Sequence, residues 1–269
     1  MKFRKIALFL SILLFFIYLI WWIWLALKIP PESDIRNSFS LTYGILAGYG
    51  GVIGFIIASK WGGFKSYVGK SLIFFAFGLL CQFLGQNAYS IQFMIDHVQD
   101  AYPSYGEIFF LASIPSYILG VWYIGKAAGS GVSLKRLKYK IISVIFPLAM
   151  VVISYYMFIH GTSMQGQSTI AVILNFVYPI GQAVFVSMAI MAYLLSGKVL
   201  GGVMKRRVIF ILFSLVFQYA ADSTFLYKTI NGTWYHSDFS EFMFAMSYSL
   251  MTFAFLDFSS VFGQLKEKR

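Results

Sequence analysis

The chain has 269 residues, of which 59% are hydrophobic and 12% are charged, and its net charge is +11. Soluble domains carry roughly 25% charged residues, and a water-soluble chain of this length has no core large enough to bury so much apolar surface. The composition therefore excludes an ordinary soluble domain and predicts an integral membrane protein.

Long apolar stretches follow one another along the whole sequence. About 20 apolar residues cross a bilayer as a helix, and lipid favours helices because they satisfy every backbone hydrogen bond internally. The stretches are continuous and do not alternate, which argues against a transmembrane barrel. We predict one all-α transmembrane domain, residues 1–269, in which short connections make consecutive helices antiparallel neighbours. Its eight spans are expected at about 6–27, 39–59, 71–95, 107–126, 141–160, 169–196, 208–229 and 241–262.

The first span follows a basic N-terminus and runs from Ile6 to Leu27. It is longer than the roughly 7–15 residues of a signal-peptide core, and no small-residue cleavage site follows it. We expect an uncleaved helix, with Trp21, Trp22 and Trp24 as aromatic residues at the outer interface.

The second span is rich in glycine. Small residues at such density let helix backbones approach closely. Tight packing within the bundle is the simplest interpretation, and a homodimer seam or a hinge is the alternative. The glycines are Gly44, Gly48, Gly50, Gly51 and Gly54.

A polar pattern recurs in the later spans and indicates repeated antiparallel helix hairpins. Each outgoing helix carries polar residues near its outer end, and each returning helix begins with an acid in its first turn. Spans three and four supply Gln82, Gln86 and Asn87, then Glu107; spans seven and eight supply Asp222, then Glu241; span six has a looser version with Tyr178 and Gln182.

These eight residues are the predicted ligand-binding set. Gln82 and Gln86 are four residues apart and share one helix face, and an ionisable residue such as Asp222 inside a span usually faces the bundle interior. One interpretation is a polar cavity that opens outward. The alternatives are interhelical hydrogen bonding and, for Glu107 and Glu241, a favourable interaction with the helix dipole.

Three histidines, His97, His160 and His236, fall at the outer helix ends or loops. They are weak candidates for a metal site or a pH sensor, because their spacing matches no metal motif; we predict no metal. The sequence also lacks the nucleotide-binding, metalloprotease and serine-hydrolase motifs. We therefore predict neither an enzyme nor a cofactor.

Charge is distributed unevenly between the two sides of the predicted bundle. With the N-terminus inside, 18 of the 21 Lys and Arg residues fall on the inner side, and only Lys28, Arg36 and Lys228 fall outside. The positive-inside rule then places both termini in the cytoplasm. We expect the protein in the plasma (cytoplasmic) membrane, which is the inner membrane of a bacterium. The basic residues are dispersed over five inner segments, which favours contact with anionic lipid over nucleic acid.

The motifs that carry a family resemblance lie between residues 70 and 256. They are Gly85-Gln86, Pro103-Ser104-Tyr105-Gly106-Glu107-Ile108-Phe109-Phe110-Leu111, Tyr178-Pro179 with Gln182, Ala221-Asp222, and Glu241 followed by Phe244. In these the chain resembles the N-terminal multi-pass membrane sensor region of bacterial GGDEF diguanylate cyclases and sensor histidine kinases. Gln86 and Gln182 stand where that family usually has aspartate, which argues against cation capture.

The sequence, up to Arg269, contains no cyclase or kinase output segment. The resemblance therefore implies a sensor or receptor module that binds a small ligand or lipid in an outward-facing polar pocket. It would signal through a cytoplasmic or membrane partner protein. The alternatives are a small-solute transporter or channel and a membrane-embedded enzyme or envelope assembly factor.

Overall fold

A computed structural model of the chain describes residues 2–96, 102–128, 137–161, 167–196 and 203–267. Over these ranges the regular structure is entirely helical, and eight helices are long and apolar enough to cross a membrane. The prediction of an all-α, multi-pass membrane protein is thereby confirmed. The main helices are α1 (Lys2–Lys28), α2 (Ile45–Lys60), α3 (Tyr67–Asp96), α4 (Glu107–Ala127), α5 (Leu137–Phe158), α6 (Thr169–Ser196), α7 (Val203–Ile230) and α8 (Phe239–Glu267).

Six of these helices pack in a closed ring. Around it, α2 contacts α3, α3 contacts α4, α4 contacts α6, α6 contacts α7, α7 contacts α8, and α8 returns to α2. Helix α1 packs outside the ring against α8, and α5 packs outside it against α6. The share of each span buried within the protein agrees: 78% for α8, but 17% for α1 and 11% for α5. Helices α1 and α5 therefore present most of their surface to lipid.

The second span is interrupted, where the sequence predicted one continuous helix over 39–59. A short helix, Asn37–Ser40, is followed by a turn, and α2 begins at Ile45. Two side chains of α3 donate hydrogen bonds to backbone carbonyl groups at the interruption. Gln86 Nε2 donates to Ser40 O at 2.6 Å, and Ser90 Oγ donates to Leu41 O at 3.3 Å. A side chain inserted into the backbone hydrogen-bond ladder is a known cause of helix kinks.

The glycines of the second span pack against neighbouring helices of the same chain. A Cβ on Gly50 would lie 2.3 Å from Thr252 Oγ1 of α8, and one on Gly54 would lie 2.7 Å from Ala76 Cβ of α3. The other three approach α3 equally closely, with Gln86, Phe83 and Leu80 as the respective neighbours of Gly44, Gly48 and Gly51. These glycines thus mediate packing within the chain, and a homodimer stays a prediction.

Arg36 ties the end of α1 to the loop between α7 and α8. Its side chain is 3% exposed. The guanidinium donates to the carbonyl oxygens of Leu25, Ile29 and Pro30, and to Ser237 Oγ at 2.9 Å. Arginine can satisfy several acceptors in this way because it presents five N–H donors in a rigid fork.

Of the three basic residues that the charge count placed outside, both Arg36 and Lys228 have structural partners. Lys228 forms an ion pair of 2.8 Å with the buried carboxylate of Asp238. Asp238 also accepts the backbone N–H of Ser240 at 2.8 Å and so caps the N-terminus of α8. Together with Arg36, this pair fixes the loop that precedes α8.

Candidate functional site

A cavity of about 210 Å³ lies inside the ring, near the end at which α4 and α8 begin. One water needs roughly 10–15 Å³ of such space, so the cavity is large enough for a small molecule. Five helices of the ring contribute to its wall, and the sixth element of the wall is the turn before α2, through Tyr43. The polar lining residues are Tyr43, Gln82, Gln86, Tyr89, Tyr102, Ser104, Glu107, Ser113, Tyr117, Tyr178, Gln182, Asp222, Trp234, Glu241 and Tyr248.

Seven of the eight predicted ligand-binding residues lie on this wall: Gln82, Gln86, Glu107, Tyr178, Gln182, Asp222 and Glu241. The exception is Asn87, whose side chain is exposed and donates to Phe83 O at 2.7 Å. Successive helical residues point in directions about 100° apart, so Asn87 cannot share the inner face of its neighbour Gln86. That the seven bind a ligand stays a prediction.

Each of the two glutamines of α3 donates one hydrogen bond and accepts one from a neighbouring element. Gln82 donates to Ser113 Oγ at 2.9 Å and accepts from Tyr248 at 3.1 Å. Gln86 donates to Ser40 O and accepts from the hydroxyl of Tyr43 at 3.1 Å. Both side chains therefore hold neighbouring elements together and form part of the cavity wall. A place on the cavity wall and a role in interhelical hydrogen bonding are therefore compatible for these residues.

The first-turn acids of α4 and α8 organise the loops that precede those helices. Glu107 Oε1 accepts from Ser104 Oγ at 3.0 Å, and Glu107 Oε2 accepts from the hydroxyl of Tyr178. Glu241 Oε2 accepts from Ser40 Oγ and, at 2.7 Å, from the backbone N–H of Ser237. Both acids thus have a capping role, and each also borders the cavity.

Asp222 is bound much less completely than the two glutamates. Its one hydrogen bond to another described residue comes from Gln218 Nε2 to Oδ2, at a long 3.3 Å. A carboxylate offers about four lone-pair sites. Most of the hydrogen-bonding capacity of Asp222 is therefore available on the cavity side.

Two further polar groups were missed by the sequence analysis. In the described part of the chain, the hydroxyl of Tyr117 and the indole Nε1 of Trp234 have no hydrogen-bond partner, and both atoms are buried. Tyr117 is 1% exposed and lines the cavity from α4, with its ring against Phe185. Buried polar groups are normally satisfied, so each marks a place where a ligand or a water would find a hydrogen bond.

The rim of the cavity includes Tyr102, in the connection between α3 and α4. Its hydroxyl donates to Asn175 Oδ1 of α6 at 2.8 Å. Partial burial, and then the nearby Glu107 carboxylate, raise the pKa of the Tyr102 phenol above its ordinary value. Tyr102 therefore stays a neutral donor at physiological pH.

The histidines do not form a metal site in the part of the chain that is described. His160, after α5, packs against Tyr155 and Tyr156 with its ring tilted or edge-on, whereas His236 contacts Phe93 and Trp234 edge-on. His97 lies outside the described residues. Among those that are described, no three His, Cys, Asp or Glu side chains are grouped so as to hold a metal ion.

Beyond the cavity, the ring is closed by apolar side chains. Phe75, Ile124, Leu215 and Phe255 are completely buried there. The polar residues at this level bond to backbone carbonyls, as Ser71 Oγ does to Gly120 O at 2.7 Å. The described interior of the ring below the cavity is therefore largely apolar, apart from a line of hydrogen bonds that joins Asp222 to Gln218 and Gln218 to Ser247.

The chain matches no protein-family model, no curated protein and no solved structure. The chemistry of the cavity is therefore the basis on which a function can be assigned.

Proposed function

We propose that the chain is a receptor-type membrane module that binds a small ligand in the cavity of the helix ring. In this proposal both termini are cytoplasmic, the cavity opens to the outer side of the plasma membrane, and occupancy is passed to a partner protein. The observation that carries the proposal is the cavity itself, to which six elements of the ring contribute polar residues. Its apolar floor, formed by the packed side chains below the cavity, favours a receptor over an open channel.

We also propose that α3–α4 and α7–α8 are related hairpins. In each pair the first helix places a polar residue on the cavity wall, Gln86 in one and Asp222 in the other. The second helix of each pair then places a first-turn glutamate on the wall, Glu107 or Glu241. A ligand between the two hairpins would contact both, so its binding would change their relative packing. That change is the signal that the partner would detect.

The orientation can be tested with single cysteines, because the one native cysteine, Cys81, is buried. In a Cys81→Ala background, Asn231→Cys lies in the exposed loop between α7 and α8, and Phe64→Cys lies in the exposed loop between α2 and α3. We expect a membrane-impermeant maleimide to label Asn231→Cys on intact cells and Phe64→Cys only after permeabilisation. The reverse pattern would show that the cavity opens to the cytoplasm.

Access to the cavity can be tested at Gln182, which lines it and has no hydrogen bond to another described residue. We expect charged, impermeant methanethiosulfonates added outside to modify Gln182→Cys. Asn87→Cys is the matched control: it is also a helical amide position on the same half of the bundle, but it is exposed on the outside of the protein. Charged reagents do not partition into lipid, so we expect it to be unreactive.

The same variant separates a receptor from a transporter. In inside-out vesicles, Gln182→Cys should be protected, because the apolar floor closes the ring on that side. Equal modification from both sides would indicate alternating access and would overturn the receptor assignment.

A further inference from the structure

The charge of the cavity wall restricts the ligands that it can bind. Glu107, Asp222 and Glu241 are all on the wall, and none of the described lining residues is Lys, Arg or His. The nearby base Lys228 is paired with Asp238. An anionic ligand would meet three carboxyl groups and no base in a poorly screened site, so the wall selects against it.

Asp222 provides a site for a positive charge. A carboxylate inside a membrane span is costly and is normally paired. The described residues give Asp222 no basic partner, only the long hydrogen bond from Gln218. The two glutamates, by contrast, each accept hydrogen bonds from two groups of neighbouring elements. A cation in the cavity would supply the missing counter-charge at Asp222.

Aromatic rings form much of the remaining wall. The rings of Tyr43 and Tyr248 are stacked with their centroids 6.2 Å apart, and Phe244 stacks on Tyr248 at the same distance. Phe225 continues this cluster, with its ring centroid 6.2 Å from that of Phe244 and 5.6 Å from that of Trp234. Aromatic faces attract ammonium groups, and more strongly when both are desolvated. They also accommodate the apolar part of an organic ion.

Two residues of the cavity wall carry a buried polar group that has no hydrogen-bond partner in the described part of the chain. The buried hydroxyl of Tyr117 can donate or accept a hydrogen bond, and Trp234 Nε1 can donate one. Neither has a partner among the described residues. A ligand with an ammonium group and a second polar group would satisfy Asp222 together with one of these.

We propose that the cavity selects a small organic ammonium cation, with Asp222 as its counter-ion, the aromatic wall around its apolar part and Tyr117 as a further hydrogen-bond partner. This inference rests on the proposed function, since it names the ligand class of the same cavity. It concerns the charge of the ligand, which can be tested separately from access to the cavity.

The test uses three probes with the same ring and different charge: 2-phenylethylammonium, 2-phenylethanol and phenylacetate. Binding to the purified full chain in nanodiscs is measured by the change in tryptophan fluorescence and by calorimetry. We expect 2-phenylethylammonium to bind at least tenfold more tightly than 2-phenylethanol, and phenylacetate to bind least. Equal affinities, a preference for phenylacetate, or no binding of any probe would overturn the ammonium assignment.

The residue assignment is tested by Asp222→Asn, which keeps the shape of the side chain and removes its charge. We expect this variant to lose at least tenfold in affinity for the ammonium probe and to bind 2-phenylethanol unchanged. The control is Asp96→Asn, an exposed acid at the end of α3 that does not line the cavity; it should retain the preference. If Asp96→Asn loses as much affinity for the ammonium probe as Asp222→Asn does, the selectivity comes from the overall surface charge of the protein. The counter-ion role of Asp222 would then be wrong.

Cysteine modification gives an independent readout of the same charge. At Gln182→Cys we expect a trimethylammonium-ethyl thiosulfonate to react at least tenfold faster than its sulfonate analogue, after correction for their rates with a free thiol. Asp222→Asn should reduce that ratio. If both reagents enter from outside at equal corrected rates, the outward cavity stands and only the ammonium inference fails. If neither enters, the proposed function fails as well.

Discussion

Replacing Arg36 with methionine is expected to lower the free energy of unfolding by about 3 kcal/mol or more, because each buried acceptor left without a donor costs about 1–3 kcal/mol. The guanidinium serves the carbonyls of Leu25, Ile29 and Pro30 and both the carbonyl and the hydroxyl of Ser237. Methionine fills a similar volume but donates to none of them. The measurement is thermal and denaturant unfolding of the purified chain in one detergent.

Arg36→Lys and Lys28→Gln are the informative comparisons. Lysine keeps the positive charge near the C-terminal end of α1, where a cation is favourable, but it lacks the planar fork that reaches several carbonyls. We expect Arg36→Lys to recover part of the loss. Lys28 is exposed on the same side of the bundle, so Lys28→Gln should leave unfolding unchanged. Equal stability of Arg36→Met and Lys28→Gln would show that the hydrogen bonds of Arg36 contribute little.

Arg36 also shows a limit of the sequence analysis. Counting charges by side treated it, with Lys28 and Lys228, as one of three exceptions to the positive-inside distribution. What holds Arg36 in place comes from distant parts of the chain, the end of α1 and the loop at Ser237, and no local pattern indicates such contacts. Lys228 is similar, since its partner Asp238 lies in the following loop.

The spans themselves were predictable because a long apolar stretch in lipid satisfies its backbone hydrogen bonds by forming a helix. The predicted bounds differ from the helices by a few residues at most ends. The interruption before Ile45 was not predicted, since it depends on side chains of α3 that bond to Ser40 and Leu41. Hydropathy reports whether a segment enters the membrane, and it carries no information about such contacts.

The cavity wall was predictable in part, through helical periodicity. On α4, Glu107, Phe110, Ile114 and Tyr117 all line the cavity, at spacings of three and four residues that define one helix face. Extending that face from Glu107 would have found Tyr117, whereas the search for charged and amide side chains passed over it. The same periodicity would have excluded Asn87.

The sequence-based argument against cation capture also needs revision. It compared motif positions one at a time, and there Gln86 and Gln182 replace aspartate. In the folded chain the relevant quantity is the charge of the whole wall, to which three carboxylates contribute and to which no described base does. Which side chains share a wall is set by the order of helices around the ring, and the sequence does not reveal that order.

Two tyrosines of the cavity wall are expected to respond oppositely to the loss of a hydroxyl group. Tyr248→Phe removes the hydrogen bond to Gln82 Oε1 and leaves a buried acceptor without that donor, so we expect a loss of about 1–3 kcal/mol in the free energy of unfolding. Tyr117→Phe removes a hydroxyl that has no partner among the described residues. We expect it to leave the stability unchanged or to increase it, and to weaken binding of the ammonium probe.

Comparing these two variants separates tyrosines whose hydroxyl stabilises the fold from tyrosines whose hydroxyl is available to a ligand. Both tyrosines are nearly fully buried and undergo the same chemical change, so a difference in unfolding has to come from their partners. In the double variant Tyr248→Phe/Gln82→Leu, both members of the hydrogen bond become apolar, and the cost should fall below the sum of the single changes. If Tyr117→Phe destabilises the chain as much as Tyr248→Phe does, the Tyr117 hydroxyl has a structural partner, and its assignment to the ligand is wrong.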